Sequence, residues 1–308
     1  MFAESLVALV SLLSLRAAQT PTTEGILLLN ELPVAKYVAA QMPAAPTKND
    51  DDSLGVEVSA RGAVVMDVES GQILFQKEAR TPYPVASLTK VITAMVVLDR
   101  QPNLEEEITL LAQDDSHEGR SIFLTGERLT KGELLHALLV GSVNTAANAL
   151  ARVSGGREDF IKAMNVKAAT LGLTQAHFVD PVGLGSRNQA SAMDIAMALR
   201  AALQYPEIRE TTELDALSIK SRISPNRTYE VKTTNLLLSS FLNKDPYRIV
   251  AAKTGSLPEA GFCLAQVTRH TGGDSIVAVV LGSENHFSRF QDMKALTAWT
   301  FDHYTWPK

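Results

Sequence analysis

A serine and a lysine, Ser87 and Lys90, lie three residues apart at the start of the apolar run Leu88–Leu98. Apolar residues recur in this run at i, i+3, i+4 and i+7, a spacing that predicts a helix with one buried face. Residues three apart share a helix face. A serine hydroxyl becomes a strong nucleophile when a neighbouring base accepts its proton, and a lysine amine on the same turn can do this. The pair is a candidate for nucleophilic catalysis, and its structural alternative is a helix cap followed by a solvated lysine.

A second polar motif consists of Ser142 and Asn144, with one residue between them. It follows the apolar run Leu134–Val140 and precedes the small-residue stretch Thr145–Ala151. We therefore expect it to lie where two helices meet. A hydroxyl at this place can relay a proton, and the asparagine amide can bind both a lysine and a substrate carbonyl, although Asn144 could also simply cap a helix.

A third motif, Lys253, Thr254 and Gly255, occurs once in the chain. The strand-like segment Tyr247–Ala252 leads into it, and Ser256 follows it. The lysine and the threonine are suited to bind a terminal carboxylate. The glycine has no side chain, which lets a substrate peptide lie against the strand as an added strand.

These motifs need a scaffold that brings distant segments together. The sequence predicts a two-stranded start from Val56 onward and a block of helices between about residues 88 and 203. After a mixed region, it predicts strands and a closing helix at Tyr247–Lys253, Gly261–His270, Ser275–Gly282 and Gln291–His303. Strands from both ends of the chain, with helices between them, indicate an antiparallel sheet in an α+β fold. The cleft would then lie between the Lys253 strand and the helical block.

In this order, the three motifs resemble those of the penicillin-binding protein and serine β-lactamase superfamily. Further similar segments narrow the resemblance to the low-molecular-weight D,D-peptidases, those like D-alanyl-D-alanine carboxypeptidases; these segments are Ala63–Leu74, Phe160–Asn165, His177–Leu184 and Ala260–Leu264. The resemblance covers about residues 56–302. It implies a β-lactamase/transpeptidase-like α+β fold, with an antiparallel sheet of about five strands on which a helical block and terminal helices pack.

The resemblance also implies roles for single residues. Ser87 would be the nucleophile and Lys90 its base, while Ser142 would relay a proton to the leaving amine. The backbone N–H groups of Ser87 and Ser256 would bind the oxyanion. Arg289, late in the chain, is a further candidate for binding the substrate carboxylate. The substrates would be peptidoglycan stem peptides ending in D-Ala-D-Ala, and β-lactams would be inhibitors.

The chemistry places a demand on the two lysines. Lys90 must be neutral to act as a base, yet the pKa of a free lysine is near 10.4. Burial, the positive end of its own helix and a second nearby cation all lower this pKa. We therefore expect Lys90 to be the base and Lys253 to be the second cation, with a permanent charge.

Composition limits the remaining functions. With 308 residues, 45% of them hydrophobic, the chain suits one compact enzyme domain, expected at residues 55–308. The 34 acidic residues against 29 basic ones give a net charge of -5, which argues against nucleic-acid partners and against electrostatic binding to an anionic membrane. The histidines show no metal-ligand spacing and Cys263 is the single cysteine, so we expect no metal, no cofactor and no disulfide.

The first 54 residues differ from the rest. Residues 1–20 hold a short apolar core, Leu6–Leu15, typical of a signal peptide, although Glu4 stands where a basic residue is usual. Residues 21–54 are predicted to be a linker. We expect no additional β-domain or amphipathic membrane anchor after Trp299. Because cell-wall peptides lie outside the cytoplasm, we expect an extracytoplasmic bacterial enzyme, exported by this atypical leader.

The leading hypothesis is a serine-type D-alanyl-D-alanine carboxypeptidase that forms an acyl-enzyme on Ser87. A D,D-endopeptidase that cleaves cross-links between stem peptides would use the same chemistry. A serine β-lactamase needs fast deacylation, and the segment between the second and third motifs lacks the E-x-x-L-N pattern of class A enzymes. A non-catalytic wall-binding protein that retains the cleft is the remaining alternative.

Overall fold

The structure, a computed structural model, describes residues 43–49, 53–116 and 122–307. The expected leader, residues 1–20, and most of the expected linker, residues 21–54, lie outside the described residues. Their assignment therefore stays a prediction.

Thirteen strands occur in the described residues. In chain order they are β1 (Thr47–Lys48), β2 (Gly62–Asp67), β3 (Ile73–Lys77), β4 (Tyr83–Pro84), β5 (Glu107–Thr109), β6 (Arg128–Thr130), β7 (Gln189–Ala190), β8 (Ala216–Lys220), β9 (Thr228–Lys232), β10 (Tyr247–Leu257), β11 (Gly261–His270), β12 (Ser275–Ser283) and β13 (Tyr304–Thr305). Five of them form one antiparallel sheet in the order β10-β11-β12-β2-β3. Strands from both ends of the sequence thus lie side by side, which confirms the predicted sheet. The others pair as β1-β13, β4-β7, β5-β6 and β8-β9.

The same part of the chain contains seven α-helices. They are α1 (Thr89–Asp99), α2 (Lys131–Val140), α3 (Asn144–Val153), α4 (Arg157–Thr170), α5 (Ala192–Ala202), α6 (Pro206–Thr212) and α7 (Ser288–His303). Short 3-10 helices cover Ala86–Leu88, Ala112–Asp114, Leu236–Ser239 and Phe241–Asn243. Within the described ranges, no helix has both the length and the apolar character that crossing a membrane requires.

The central sheet is buried on both faces. In β12, Ile276, Ala278 and Val280 belong to the apolar core that also contains side chains of α7, whereas Val277 and Val279 belong to the core of the helical block. Successive side chains of a strand point to opposite faces, so one strand supplies both cores. Helix α7 therefore covers one face and the block α1–α6 covers the other. Of the terminal helices expected on the sheet, α7 is the one found in the described residues.

Helix α1 lies at the centre of the helical block, where it contacts α2, α3, α4 and α5. Every residue from Thr89 to Val97 is buried. The prediction of a helix with one buried face is therefore wrong, because helices surround α1 and leave it no solvent-facing side.

Two element boundaries also differ from the predictions. Strand β10 continues to Leu257, so the third motif lies inside the strand and not at its end. Helix α7 begins at Ser288, which places Arg289 in its first turn. Both differences move motif residues from expected loops into regular elements, where the backbone fixes their directions.

Candidate active site

Ser87 lies in the 3-10 turn Ala86–Leu88, immediately before α1. Ala86 adopts a left-handed conformation with φ of 48°, which is unfavourable for a residue with a Cβ atom. The side-chain nitrogen of Lys90, one turn later, lies 2.8 Å from Ser87 Oγ. The expected pair is thus within hydrogen-bond distance.

Lys90 has three hydrogen-bond partners in the protein interior. Its Nζ is 2.8 Å from Ser87 Oγ, 2.7 Å from Asn144 Oδ1 and 2.9 Å from the main-chain oxygen of Val182. The side chain is 0% exposed. Burial lowers the pKa of Lys90 to about 7, although the negative charge of Asp180 acts in the opposite direction. A large share of Lys90 is therefore neutral near neutral pH, as a general base requires.

The loop that supplies the Val182 carbonyl is fixed by its own polar contacts. Asp180 Oδ1 accepts hydrogen bonds from the backbone N–H groups of Val182, at 2.8 Å, and Gly183, at 2.6 Å. The side-chain amide of Asn188 donates to Thr89 Oγ1 and to the Asp180 carbonyl, which ties the loop to α1. These contacts hold a main-chain oxygen against Lys90.

The same loop passes very close to the nucleophile's turn. Gly183 has φ of 84°, and a Cβ atom built on it would lie 1.9 Å from the carbonyl oxygen of Ala86. No residue with a side chain fits there. The Asp-Pro turn and the glycines of this loop are sequence signals for a tight turn, but no signal pointed to the contact with Lys90.

Ser142 lies between α2 and α3, as predicted. Its φ of 57° is left-handed, and the N–H of Val143 returns to the Ala137 carbonyl at 3.2 Å, which closes the end of α2. A Cβ atom on the preceding Gly141 would lie 2.4 Å from Val231, so only glycine fits under the β8-β9 hairpin. This tight turn directs the Ser142 hydroxyl to Lys253.

Lys253 Nζ donates to Ser142 Oγ at 2.8 Å and to the Thr254 carbonyl at 2.8 Å. The residue is 2% exposed. Burial, and then the positive charges of Lys90 and Arg289, lower the pKa of Lys253 well below its ordinary value. The environment therefore lowers the pKa of both lysines, whereas the sequence predicted a permanent charge on Lys253.

The remaining third-motif residues face different partners. Thr254 Oγ1 donates to Thr234 Oγ1 at 2.6 Å, so Thr234 contacts the motif directly. A Cβ atom on Gly255 would lie 3.1 Å from the backbone nitrogen of Ser87. Strand β10 thus passes alongside the nucleophile, and Ser256, the next residue, is exposed.

Arg289 lies behind this strand and is 4% exposed. Its Nη1 donates to the Gly255 carbonyl at 3.0 Å, and its guanidinium lies over the rings of Phe262 and Phe290. Burial lowers the pKa of Arg289 to about 10. The structure thus places Arg289 against the backbone of Gly255 and not in the open cleft.

The 3-10 turn before α1, α1 itself, the α2-α3 turn with the start of α3, and β10 together hold the predicted site residues. The structure thus brings together Ser87, Lys90, Ser142, Asn144, Lys253, Thr254, Gly255 and Ser256. Sequence reasoning assigned no role toward these groups to Ser116, Asp180, Val182, Asn188 and Thr234. In the described part of the chain, no three His, Cys, Asp or Glu side chains are arranged to hold a metal ion. The thiol of Cys263 is buried, which raises its pKa to about 11.

Comparison with known proteins identifies the family. The profile of the peptidase S11 family, D-alanyl-D-alanine carboxypeptidase, matches residues 45–285. A D-alanyl-D-alanine endopeptidase of Pseudomonas aeruginosa is 34% identical over 85% of this chain and 84% of that protein. A D-alanyl-D-alanine endopeptidase of Escherichia coli is 30% identical over 89% of this chain and 86% of that protein. The D-alanyl-D-alanine carboxypeptidase DacF of Bacillus subtilis is 27% identical over 90% of this chain and 71% of that protein.

Solved structures agree with this assignment. The Streptomyces K15 DD-transpeptidase superimposes with a TM-score of 0.75 at 28% identity, covering 81% of this chain and 100% of the other. Penicillin-binding protein D2 of Listeria monocytogenes, solved in a cefotaxime-bound form, gives a TM-score of 0.71 at 27% identity. The match covers 81% of this chain and 100% of the other. The expected transpeptidase-like fold and the resemblance to the low-molecular-weight D,D-peptidases are confirmed. The chain belongs to the peptidase S11 family of D-alanyl-D-alanine carboxypeptidases and is a serine D,D-peptidase.

Proposed function

We propose that this peptidase removes the terminal D-alanine from peptidoglycan stem peptides through an acyl-enzyme on Ser87. The contact between Lys90 Nζ and Ser87 Oγ, at 2.8 Å, carries the proposal. A neutral amine has two N–H groups and one lone pair. If the N–H groups donate to Asn144 Oδ1 and to the Val182 carbonyl, the lone pair is left to accept the Ser87 proton.

In the acylation step, Ser87 Oγ attacks the carbonyl carbon of the penultimate D-alanine. At the same time, the hydroxyl proton of Ser87 moves to Lys90. The carbonyl oxygen becomes an oxyanion, which the backbone N–H groups of Ser87 and Ser256 stabilise. The close approach of Gly255 to the Ser87 nitrogen supports this assignment, because it brings β10 beside the nucleophile's backbone.

The terminal D-alanine then leaves as the C–N bond breaks. Its amine takes a proton from the Ser142 hydroxyl, and Lys253 replaces that proton across their 2.8 Å contact. The terminal carboxylate, beside Lys253 and Thr254, raises the pKa of Lys253 and so favours the protonated form that this step needs.

Deacylation reverses the proton movements. A water molecule attacks the ester carbonyl and loses its proton to Ser142 and Lys253, while Lys90 returns its proton to Ser87 Oγ as the ester bond breaks. The cycle leaves both lysines as they began. A β-lactam also forms an ester with Ser87: its carbonyl carbon bonds to Ser87 Oγ, its ring C–N bond breaks and the ring nitrogen takes a proton, so we propose β-lactams as inhibitors on this basis.

Mass spectrometry and a peptide assay test the proposal together. After incubation with a penicillin, the native protein should gain the mass of one penicillin and the Ser87→Ala variant should gain none. The native protein should also release free D-alanine from a monomeric pentapeptide. An adduct of equal yield on Ser87→Ala, or none on either protein, would refute the assignment of the nucleophile.

A D,D-endopeptidase is the second candidate, favoured by the names of the two relatives that are 34% and 30% identical. Incubation with a cross-linked stem-peptide dimer, beside the monomeric pentapeptide, separates the candidates. A higher kcat/KM for D-alanine release supports the carboxypeptidase, and a higher kcat/KM for conversion of dimer to monomers supports the endopeptidase.

We also propose that residues 55–308 form the catalytic domain and that the enzyme acts outside the cytoplasm, where its polymer substrate lies. The family match over residues 45–285 supports the placement of the domain. Fractionation of cells that express the full chain, with N-terminal sequencing of the product, tests both statements. Recovery in the cytoplasm with an intact first residue would contradict export through residues 1–20.

A further inference from the structure

A polar cavity of about 400 Å³ adjoins the catalytic lysine. Its lining includes Ser116, Asn148, Arg157, Asp180, Val182 and Arg187, and none of the third-motif residues. Val182 is the residue whose carbonyl contacts Lys90, and Ser116 accepts a hydrogen bond from the Asn144 amide at 3.4 Å. The cavity thus begins at the side of Lys90 that Asn144 and the Val182 loop occupy. Its volume falls in the range of small-ligand pockets.

The cavity is lined by two basic residues, Arg157 and Arg187, and by two acidic ones, Asp115 and Asp180, and the basic groups are less engaged than the acidic groups. Arg157 makes one long contact, 3.4 Å from Nη1 to Asn148 Oδ1. No hydrogen bond or ion pair joins Arg187 to any residue in the described ranges. Asp180, by contrast, accepts hydrogen bonds from the backbone of its own loop. Two exposed guanidinium groups beside a cavity are suited to bind a carboxylate.

The direction of the substrate connects this cavity to the reaction. In the proposed function, the leaving D-alanine lies toward Lys253 and Thr254, so the acyl part of the peptide extends the other way, past Asn144. There Ser116 forms the start of the cavity. Residues of a stem peptide that precede the scissile bond carry carboxylates: the free α-carboxylate of a γ-linked glutamate, and the carboxylate of a diamino dicarboxylic acid.

We propose that Arg157 and Arg187 form a subsite that binds a carboxylate on the acyl side of the scissile bond. The subsite makes the enzyme select stem peptides by a charge located away from the D-Ala-D-Ala end. This inference rests on the proposed function for the direction of the substrate, and it adds a specificity site that the reaction itself does not need.

The kinetic test compares Arg157→Gln, Arg187→Gln and the double variant with the native enzyme. On a stem pentapeptide with both carboxylates, the double variant should lose kcat/KM by about 10- to 100-fold, the effect of removing hydrogen bonds to a charged group. On diacetyl-lysyl-D-Ala-D-Ala, which has no carboxylate on its acyl side, it should retain native activity. Arg209→Gln, an exposed arginine on α6 outside the cavity, is the matched control and should change neither value.

Amidated peptides identify the source of the carboxylate. If the glutamate is bound, its replacement by isoglutamine lowers the native kcat/KM to the level of the double variant. If the carboxylate of the diamino acid is bound, amidation of that carboxylate lowers the native kcat/KM to the same level. The proposal is overturned if neither amidation has an effect, or if the arginine variants lose activity equally on the diacetyl-lysyl peptide, because the arginines would then not recognise a carboxylate.

Binding to the Ser87→Ala variant tests the subsite without turnover. Calorimetry should give a weaker affinity for the carboxylate-bearing peptide after the two arginine substitutions are added, and an unchanged affinity for the amidated peptide. An equal affinity of both proteins for the carboxylate-bearing peptide would refute the subsite. Failure of the proposed function has a different signature: native protein that neither releases D-alanine nor forms a penicillin adduct.

Discussion

The side-chain nitrogen of Lys90 lies 2.9 Å from the main-chain oxygen of Val182, a residue 92 positions later in the chain. This contact connects the first turn of α1 to a loop that is itself fixed by Asp180 and Asn188. The loop thereby occupies one N–H group of the amine and helps to exclude water from it. The properties of the general base are set by a loop far from it in sequence.

The rate of acylation should rise with pH through about pH 7. Protonated Lys90 has no lone pair, and burial lowers its pKa to about 7, so the neutral fraction grows up to and beyond this pH. At one pH unit below that pKa, the rate constant for acylation by a penicillin should be about one tenth of its plateau. Stopped-flow measurements from acidic to alkaline pH check this, with the melting temperature at each pH as control. A rate that stays flat or falls across this range would contradict a lysine base.

Replacing Asp180 with asparagine should move this pH profile toward lower pH. The carboxylate raises the pKa of Lys90, and its removal leaves desolvation unopposed. Asparagine keeps an oxygen that can accept the backbone hydrogen bonds of the loop, so the geometry should be conserved. The midpoint of the acylation profile is the measurement. A shift toward higher pH would show that Asp180 acts on Lys90 mainly by positioning the loop.

Two glycines of one loop provide a matched pair of variants. In Gly183→Ala, the new Cβ atom would lie 1.9 Å from the Ala86 carbonyl oxygen and must displace the turn of Ser87. We expect acylation to slow by about 100-fold, as misplaced reacting groups do. Gly185 is also left-handed, with φ of 71°, but no atom lies within 4 Å of its added Cβ.

Gly185→Ala should therefore lose only about 1 kcal/mol of stability through backbone strain and should keep its acylation rate. Penicillin acylation and urea unfolding of both variants check this contrast. Equal rates in the two alanine variants would mean that the turn of Ser87 tolerates the displaced loop.

Ser142 combines a functional hydroxyl with a strained backbone. Both Ser142→Gly and Ser142→Ala remove the acceptor of the Lys253 hydrogen bond, so both should lose peptidase activity to a similar extent. They differ at the left-handed φ of 57°, which glycine adopts freely. The free energy of unfolding of the glycine variant should exceed that of the alanine variant by about 1 kcal/mol in urea titrations. The reverse order would indicate that the turn relaxes when the hydroxyl is lost.

The local sequence determined much of the fold and the motif set. Apolar segments bounded by turn residues predicted the strands β11 and β12, and the three motifs indicated which residues the chemistry would use. These features depend on side-chain period and residue type, which neighbouring residues specify. The boundaries of β10 and α7 were less well predicted, because pairing with β11 and packing on the sheet extend both elements beyond the local pattern.

The tertiary structure decided how these residues act. The contact of the Val182 carbonyl with Lys90, the pairing of Thr234 with Thr254, and the position of Arg289 behind Gly255 all join segments that are distant in the chain. The pKa values of Lys90 and Lys253 follow from desolvation and from neighbouring charges, which no local pattern encodes. The sequence by itself thus specified the reactive groups, whereas packing fixed their distances and their charges, because burial and electrostatic coupling arise only when the chain is folded.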